Sequence, residues 1–425
     1  MKLPRNASVG AGIVGAVALA YANALTAGFQ FDDWDVIVDQ PQVHSLAAWW
    51  GSMPGIRPVL KLSYALTYTV SSSAAFFHLV NVAIHAANAC LIFALLSRLT
   101  TRAVAVITAL VFALHPVQTE AVTYVTGRSV SLSTLFILLT LSLLNNRAWV
   151  SPTLFASAIM VKETAVMAVV PGFVRKRGAP LLIVLLGAAV VAAVSPVYRR
   201  LLAVCLDTRG IGTNLMTQAN AVVYLMGQLV RLDRLNADPK LPEVHAWSPI
   251  VVVNALLIVS FIAVGFVLLR KNPLLGYGIL WFFLWLIPTN TLLPRLDVAN
   301  DRQIYLAMAG PALVFAYGIG TLLKTRWKTV AIGAVAVLAL VLAIATHVRN
   351  RVYADEITFW KDVVAKSPWN ARGFNNLGFA LTLNHRDEEA DAAFREALRL
   401  DPAYVRAAVN LKLLRAGALG RQSKP

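Results

Sequence analysis

The 425-residue sequence predicts an all-α protein: a polytopic bundle of transmembrane helices followed by a C-terminal helical repeat domain. Three observations carry this. Hydrophobic residues make up 58% of the chain and charged residues 14%, with a mean hydropathy of +0.65, which excludes a set of soluble domains. Windows at 10–24, 103–114, 132–144, 181–197, 251–269, 304–323 and 329–346 are apolar almost throughout. Hydrocarbon tolerates such stretches only as helices that satisfy their own backbone. After about residue 348 charges become dense and the apolar residues take a 3.6-residue period, as in amphipathic helices exposed to water.

The first span is expected at about 9–28. Its basic start (Lys2, Arg5), apolar centre and Ala22-Asn23-Ala24 also fit a cleaved signal peptide; we read it as a retained helix. Further spans are expected at about 76–97, 103–116, 129–145, 180–197, 249–269, 273–288, 303–323 and 329–347. The short loops hold Arg98 and Arg102, Arg147, Arg175-Lys176-Arg177, Arg270-Lys271, and Lys324, Arg326 and Lys328, with no acid among them. Lys/Arg excess marks cytoplasmic loops, so the net charge of +17 is largely a topology signal. No basic-aromatic stripe accompanies it, and nucleic acid is not an expected partner.

Segment 150–174 sets the parity. As one crossing it would place Arg175–Arg177 and every later basic loop outside. As a hairpin of two short helices, 151–161 and 165–174, turning at Lys162-Glu163-Thr164, it keeps all the basic loops inside. All 21 Asp and Glu residues then lie on the outer side or at that turn. We expect the hairpin, with Lys162 and Glu163 facing a cavity, because half-depth backbone needs protein or water to satisfy it. The first domain is then residues 1–348, with outer loops at about 29–75 and 198–249, and residues 349–425 form an extracytoplasmic repeat domain.

That tail is periodic. Phe374, Leu377-Gly378, Leu381, Ala390, Phe394, Ala397 and Pro402 have the spacing of a tetratricopeptide repeat. Pro368 precedes Pro402 by one 34-residue period, as Trp360 precedes Phe394. Asp355–Lys366 therefore reads as the second half of a preceding repeat and Tyr404–Leu414 as the first half of a following one. Such arrays capture peptides or proteins on a concave face.

Chemistry is expected where ionisable groups meet the outer surface. Asp32 and Asp33 stand between Phe31 and Trp34 just after the first span, with Asp35 and Asp39 close behind. Adjacent carboxylates in a desolvated site push one pKa up and poise a proton acceptor. Arg57, Lys61, Arg128, Lys162, Arg295 and Arg302 lie at the same level; singly they fit snorkelling anchors, but together they fit a clamp on phosphate oxygens. Acids beside cations at headgroup depth describe a site where a bond to a lipid phosphate is broken. His115-Pro116 ends the third span, and His115 with Glu120 fits either an orienting pair or a polar cap. Cys90 and Cys205 form no ligand cluster, and no catalytic Ser-His-Asp order or phosphate-cradling Gly loop appears. No cofactor is established; a divalent cation beside the three Asp residues is left open without a defined ligand set.

Taken together, Phe31-Asp32-Asp33 with Ile37, Pro41 and Val43, Arg57-Pro58 with Leu62-Ser63-Tyr64, Phe77–Asn81 with His85 and Asn88, Phe112–Val117 with Thr119–Val122, Gly127-Arg128, Lys162–Ala165, and Asp301-Arg302 with Tyr305-Leu306 resemble one family. The sequence looks like a bacterial relative of the transmembrane and tetratricopeptide-repeat O-mannosyltransferases, polyprenyl-phosphate-sugar-dependent enzymes of the C-type membrane glycosyltransferase fold. The resemblance implies that Asp32 or Asp33 is the catalytic base and that Arg57 and Arg302 contact the donor phosphate, with Lys162 and Lys61 as further phosphate candidates. His115, Glu120, Arg128, Glu163, Asp301 and Tyr305 become candidates for orienting the acceptor. It implies sugar transfer from polyprenyl phosphate to an extracytoplasmic hydroxyl, on protein or glycan, by inverting displacement, in a bacterial inner membrane with the N-terminus cytoplasmic and the repeats periplasmic. The alternatives are a lipid-linked oligosaccharide ligase and a non-enzymatic repeat scaffold.

The basic-loop parity makes a direct prediction. A reporter active only in the periplasm should work when fused after Arg351 and be silent after Arg177; the opposite pattern would place the repeats in the cytoplasm.

Overall fold

The computed structural model describes residues 5–52, 55–144, 149–175 and 178–418. Lys2, Arg147, Lys176 and Arg177 of the basic loops, and the side chain of Arg5, lie outside the described residues. Helices and turns account for the secondary structure, with no strand among the described residues.

Helix α1 (Arg5–Ala20) leads through a tight turn at Ala22–Thr26 into the first long loop, which holds a π-helical turn at Trp34–Val38 and the short α2 (Leu46–Gly51). Next come α3 (Pro58–Val70), α4 (Ala74–Leu96) and α5 (Arg102–Leu114). Pro116 lacks the amide that would continue α5; the chain bends by 53° into α6 (Thr119–Val122) and then enters α7 (Arg128–Ser142). Helices α1, α4, α5 and α7 enclose the main apolar core around Val17, Ala89, Phe112 and Leu138.

The segment after α7 is a hairpin. Helix α8 (Val150–Val161) runs antiparallel to α7: Ser151 Oγ donates to the Thr140 carbonyl at 3.3 Å, and Ser133 Oγ donates to that of Ala158 at 3.2 Å. Extended backbone at Lys162 breaks the helix. A 3₁₀ stretch (Glu163–Ala168) and α9 (Val169–Val174) then return the chain, so that Arg175 Nη1 donates to the Leu141 carbonyl at 2.8 Å. Arg98, whose Nη1 approaches the Ser142 carbonyl at 3.5 Å, shares that end of the bundle. The turn at Lys162 lies at the other end.

Helix α10 (Ala179–Val194) runs back up the bundle and bends by 81° at Pro196 into α11 (Pro196–Thr208), followed by α12 (Ile211–Gln228). Helices α13 (Pro249–Lys271), α14 (Pro273–Leu286), α15 (Ala309–Leu322) and α16 (Lys328–Asn350) complete the bundle. Close crossings need glycine here: a Cβ on Gly276 would lie 2.5 Å from the Leu269 nitrogen, and one on Gly310 would collide with the Gly278 carbonyl. Among the described residues, four helical segments are long and apolar enough to cross a membrane alone: 74–96, 125–142, 249–271 and 328–353. The two bent pairs would make six.

Three stretches differ from the sequence expectation, one of them α12, which lies within the expected outer loop 198–249 and buries Ala221, Val222 and Leu225 in the main core. Within the expected outer loop 29–75, α3 buries Leu60, Tyr64 and Ala65, with Leu60 and Tyr64 packed against Phe77, Val125, Leu132 and Val161. Residues 303–308, expected to open a span, instead belong to a buried turn, and α15 begins only at Ala309. Side chains from α6 and α12 hold the backbone there. Glu120 Oε2 accepts from the Arg302 amide at 2.8 Å, and Asp301 Oδ1 accepts from Gln228 Nε2 at 3.1 Å.

Helices α17 (Glu356–Lys366), α18 (Ala371–Leu383), α19 (Asp387–Leu400) and α20 (Val405–Arg415) follow α16 as antiparallel hairpins. Their core consists of Trp360, Leu377, Leu381, Ala390, Phe394 and Ala397. Gly378 lies against the Phe394 ring, where a side chain would not fit.

Arg128 fastens the outer layer to the bundle. Fully buried, it donates from Nε to Asn81 Oδ1 (2.6 Å), from Nη1 to Thr67 Oγ1 (2.8 Å) and the Ser63 carbonyl (3.2 Å), and from Nη2 to the Phe77 carbonyl (3.0 Å). The Tyr64 and Phe77 rings cover the guanidinium at 5.0 and 5.3 Å. Arg128→Leu should leave these buried acceptors unpaired and cost on the order of 3 kcal/mol or more. Thermal unfolding in detergent should show it as a clear loss, while an unchanged midpoint would deny the residue this role.

Candidate active site

At the end of the bundle away from Arg98 and Arg175, the first loop, the α5–α7 connection, the α8–α9 turn and the stretch before α15 converge. The loop begins with backbone strain. Phe31 has φ 43°, a left-handed conformation that a bulky side chain adopts only when its surroundings impose it. The turn separates the two following carboxylates. Asp33 is fully buried; its Oδ2 accepts from the Gln30 amide at 3.0 Å and its Oδ1 from the Thr126 amide at 2.8 Å. Oδ2 therefore closes the first loop on itself, and Oδ1 clamps that loop to the α5–α7 connection. Asp32 is half-buried. Its amide donates to Tyr124 Oη at 3.0 Å, and its carboxylate lies within electrostatic reach of Arg302. Burial raises the Asp32 pKa above the usual range, while Arg302 and Tyr124 pull the other way. Of the pair, Asp32 is the carboxylate available to a ligand.

Arg302 is held by Glu120, whose Oε1 lies 3.4 Å from Nε and whose Oε2 accepts the Arg302 amide. Its guanidinium lies 5.8 Å from the Tyr124 ring centroid. Arg57, also left-handed at φ 55°, makes a bidentate pair with Glu163: Nε at 3.1 Å from both oxygens and Nη2 at 2.8 Å from Oε2. Lys162, beside Glu163 at the hairpin turn, lies within electrostatic reach of Arg57, Arg295 and Arg302, and burial together with those cations holds its pKa well below the usual lysine value. Lys162 and Arg295 make no side-chain hydrogen bond or ion pair among the described residues, so these four cations share one region with two paired carboxylates, Glu163 and Glu120. Asp297 faces the same region, but its Oδ1 is taken by Arg372 Nη2 at 2.7 Å.

Several sequence candidates lie elsewhere or are spent on the fold. His115 Nε2 contacts the Leu229 carbonyl at 3.0 Å and Nδ1 accepts from the Val117 amide at 3.2 Å. It is a cap, and Glu120 pairs with Arg302 instead. Arg128 is consumed by the packing described above. Asp301 holds Gln228 and the Asn236 amide. The Tyr305 hydroxyl meets His85 Nδ1 at 2.7 Å and Asn88 Nδ2 at 3.0 Å inside the bundle. Lys61 Nζ donates to Gln42 Oε1 at 3.2 Å near the surface, and Glu163 is the partner of Arg57. Asp35 is exposed, and no three His, Cys, Asp or Glu side chains among the described residues converge as a metal-ligand set.

Asp297, Glu356 and Arg372 also reach this end of the bundle, with nothing in the sequence to mark them. Arg372 of α18 pairs with both Asp238 and Asp297, and Glu356 Oε1 of α17 accepts from the Phe31 amide at 3.0 Å. Ordinary surface charges in a repeat carry no signal of partners so distant along the chain.

Burial pushes the Asp33 carboxyl up to about 7, against the two backbone amides that favour its charge. Its folded pKa thus exceeds an unfolded value near 3.9, and the folded state binds the extra proton. Stability from this group is present below about pH 4 and is lost as pH rises to about 7, by a few kcal/mol. Unfolding midpoints measured across that window should fall with rising pH, and Asp33→Asn should flatten the slope. An equal slope in the variant would assign it to another group.

The chain is similar to several protein O-mannosyl-transferases. It is 34% identical to human protein O-mannosyl-transferase TMTC3 over 142 residues, 30% of this chain and 16% of that protein. It is 33% identical to Tmtc1 of Drosophila melanogaster over 186 residues, 37% of this chain and 22% of that protein. A longer alignment, 23% identical, joins 91% of this chain to 62% of the Caenorhabditis elegans protein O-mannosyl-transferase F38B6.6. The matched stretches therefore span less than two thirds of each relative. No family model and no solved structure matches the chain.

Proposed function

We propose that the chain is a membrane glycosyltransferase that moves a sugar, mannose by analogy with its relatives, from polyprenyl phosphate to a hydroxyl of a protein acceptor. One observation carries the reading: a half-buried carboxylate, Asp32, lies within electrostatic reach of Arg302, beside the Lys162 and Arg295 side chains, which make no side-chain hydrogen bond or ion pair among the described residues. Adjacent carboxylate and surplus positive charge are what a base and an anionic leaving group require.

Asp32 takes the proton from the acceptor hydroxyl as its oxygen attacks the anomeric carbon. The bond from that carbon to the phosphate oxygen breaks, and its electron pair stays with the phosphate. The donor diester carries one negative charge and the departing monoester acquires a second, which Arg302, Lys162 and Arg295 offset. Attack opposite the leaving group inverts the anomeric centre. Arg57 is a secondary phosphate contact because Glu163 already holds it. The cation-rich end of the bundle is extracytoplasmic in this reading, and the membrane is a bacterial inner membrane.

Transfer of labelled mannose from a synthetic polyprenyl-phosphate donor to peptide, by protein purified in nanodiscs, tests the roles separately. Asp32→Asn should lose at least about 100-fold in turnover, the lower range for a general base, and still bind donor. Arg302→Ala should weaken donor binding by roughly 10- to 150-fold, the equivalent of one desolvated charge-assisted bond. Full turnover by Asp32→Asn would remove the base assignment, and full turnover by Asp32→Asn/Asp33→Asn would remove acid-base chemistry from this loop. Unchanged donor affinity in Arg302→Ala would move the phosphate elsewhere.

A further inference from the structure

The repeat segment holds the loop that carries Asp32. Glu356, the first residue of α17, accepts the Phe31 amide at 3.0 Å and its carboxylate also faces Trp34. The Phe31 ring stands edge-on to Trp360 of the same helix, centroids 5.1 Å apart at 90°. Just before α17, the Tyr353 carbonyl accepts from Gln30 Nε2 at 3.2 Å and the Ala354 carbonyl accepts the Gly28 amide at 3.2 Å. Phe31, Tyr124, Tyr353, Phe359 and Trp360 pack in a single apolar cluster.

These contacts converge on the strained residue. A left-handed Phe31 is disfavoured in isolation, and relaxing it would rotate the next peptide unit and swing Asp32 away from Arg302. Tyr124 and Asp33 hold the loop from the bundle side. The other side is held by Glu356 and Trp360 of α17.

We propose that Glu356 is a positioning residue for Asp32, fixing the strained Phe31 peptide, so that the first helix of the repeat segment forms one wall of the active site as well as leading to the acceptor-binding repeats. The assignment rests on Asp32 acting as the base. Its bond needs an acceptor oxygen at the right reach and no negative charge, which separates it from an electrostatic role.

Two mild variants divide the properties of this side chain. Glu356→Gln keeps the reach and one oxygen for the Phe31 amide but loses the charge and the second oxygen, which faces Trp34; Glu356→Asp keeps the charge and falls one methylene short. In the mannose-transfer assay Glu356→Gln should turn over like the parent. Glu356→Asp should lose on the order of 10- to 100-fold in kcat, the scale for about 1 Å of misplacement, with KM for donor nearly unchanged. Hydrogen exchange of the peptide spanning 28–34 should accelerate in Glu356→Asp only. The reverse order of the variants would assign Glu356 an electrostatic role, and equal kcat and exchange in both would leave it merely structural; either overturns the proposal. Exchange is read without turnover, so an inactive parent protein would sink the glycosyltransferase reading while the clamp is still decided.

Discussion

Like charges held around one space constrain everything at this end of the molecule. Arg57, Lys162, Arg295 and Arg302 come from the first loop, the hairpin turn and the stretch before α15. In a medium of effective dielectric near 20, two unit charges about 8 Å apart repel by about 2 kcal/mol. Protein carboxylates relieve half of the set, through Glu163 on Arg57 and Glu120 on Arg302. For the other two, Lys162 and Arg295, burial and the neighbouring cations disfavour the charged form, a cost that an entering anion would offset. In the proposed reaction a phosphate that gains charge as its bond breaks would offset it further, favouring the transition state over the bound donor.

Holding such a set requires rigid surroundings, and the architecture supplies them from three directions. The hairpin brings Lys162 and Glu163 up from the opposite end of the bundle and returns to Arg175. Arg128 pins α3 and α4 to α7 through four acceptors, fixing the helix that Arg57 precedes. The repeats close the third side: Arg372 ties α18 to Asp238 and Asp297, while Glu356 and Trp360 hold Phe31. A bundle and a repeat array linked this closely share their stability.

Much of this was legible in the sequence, and the illegible part has physical reasons. Apolar runs announce helices because hydrocarbon leaves the backbone no other solution. Phe394 and Gly378 announce a helical hairpin because a large ring needs a small partner. The interruption at Lys162-Glu163 stood out against its apolar flanks, since charge there has to face something polar. The sequence could not divide labour between Asp32 and Asp33, because adjacent identical side chains differ only in what the turn brings to them. Nor could it show that His115 caps a turn, that Tyr305 faces His85, or that Glu356 reaches a residue 325 positions away. Helix α3 was hidden because its buried face, Leu60 and Tyr64, is short and interrupted by polar residues.

The most direct test is an experimental structure of the protein in nanodiscs with a non-hydrolysable polyprenyl-phosphate mannose analogue. The phosphorus should lie within about 5 Å of Lys162 Nζ and of the Arg302 and Arg295 guanidinium groups, the distance of charge-assisted contacts. The anomeric carbon should face Asp32, with Asp33 still bonded to the Gln30 and Thr126 amides. A headgroup bound at the Arg98–Arg175 end, or at the outer end but out of reach of both Lys162 and Arg302, would contradict the assignment of this cation cluster to the donor.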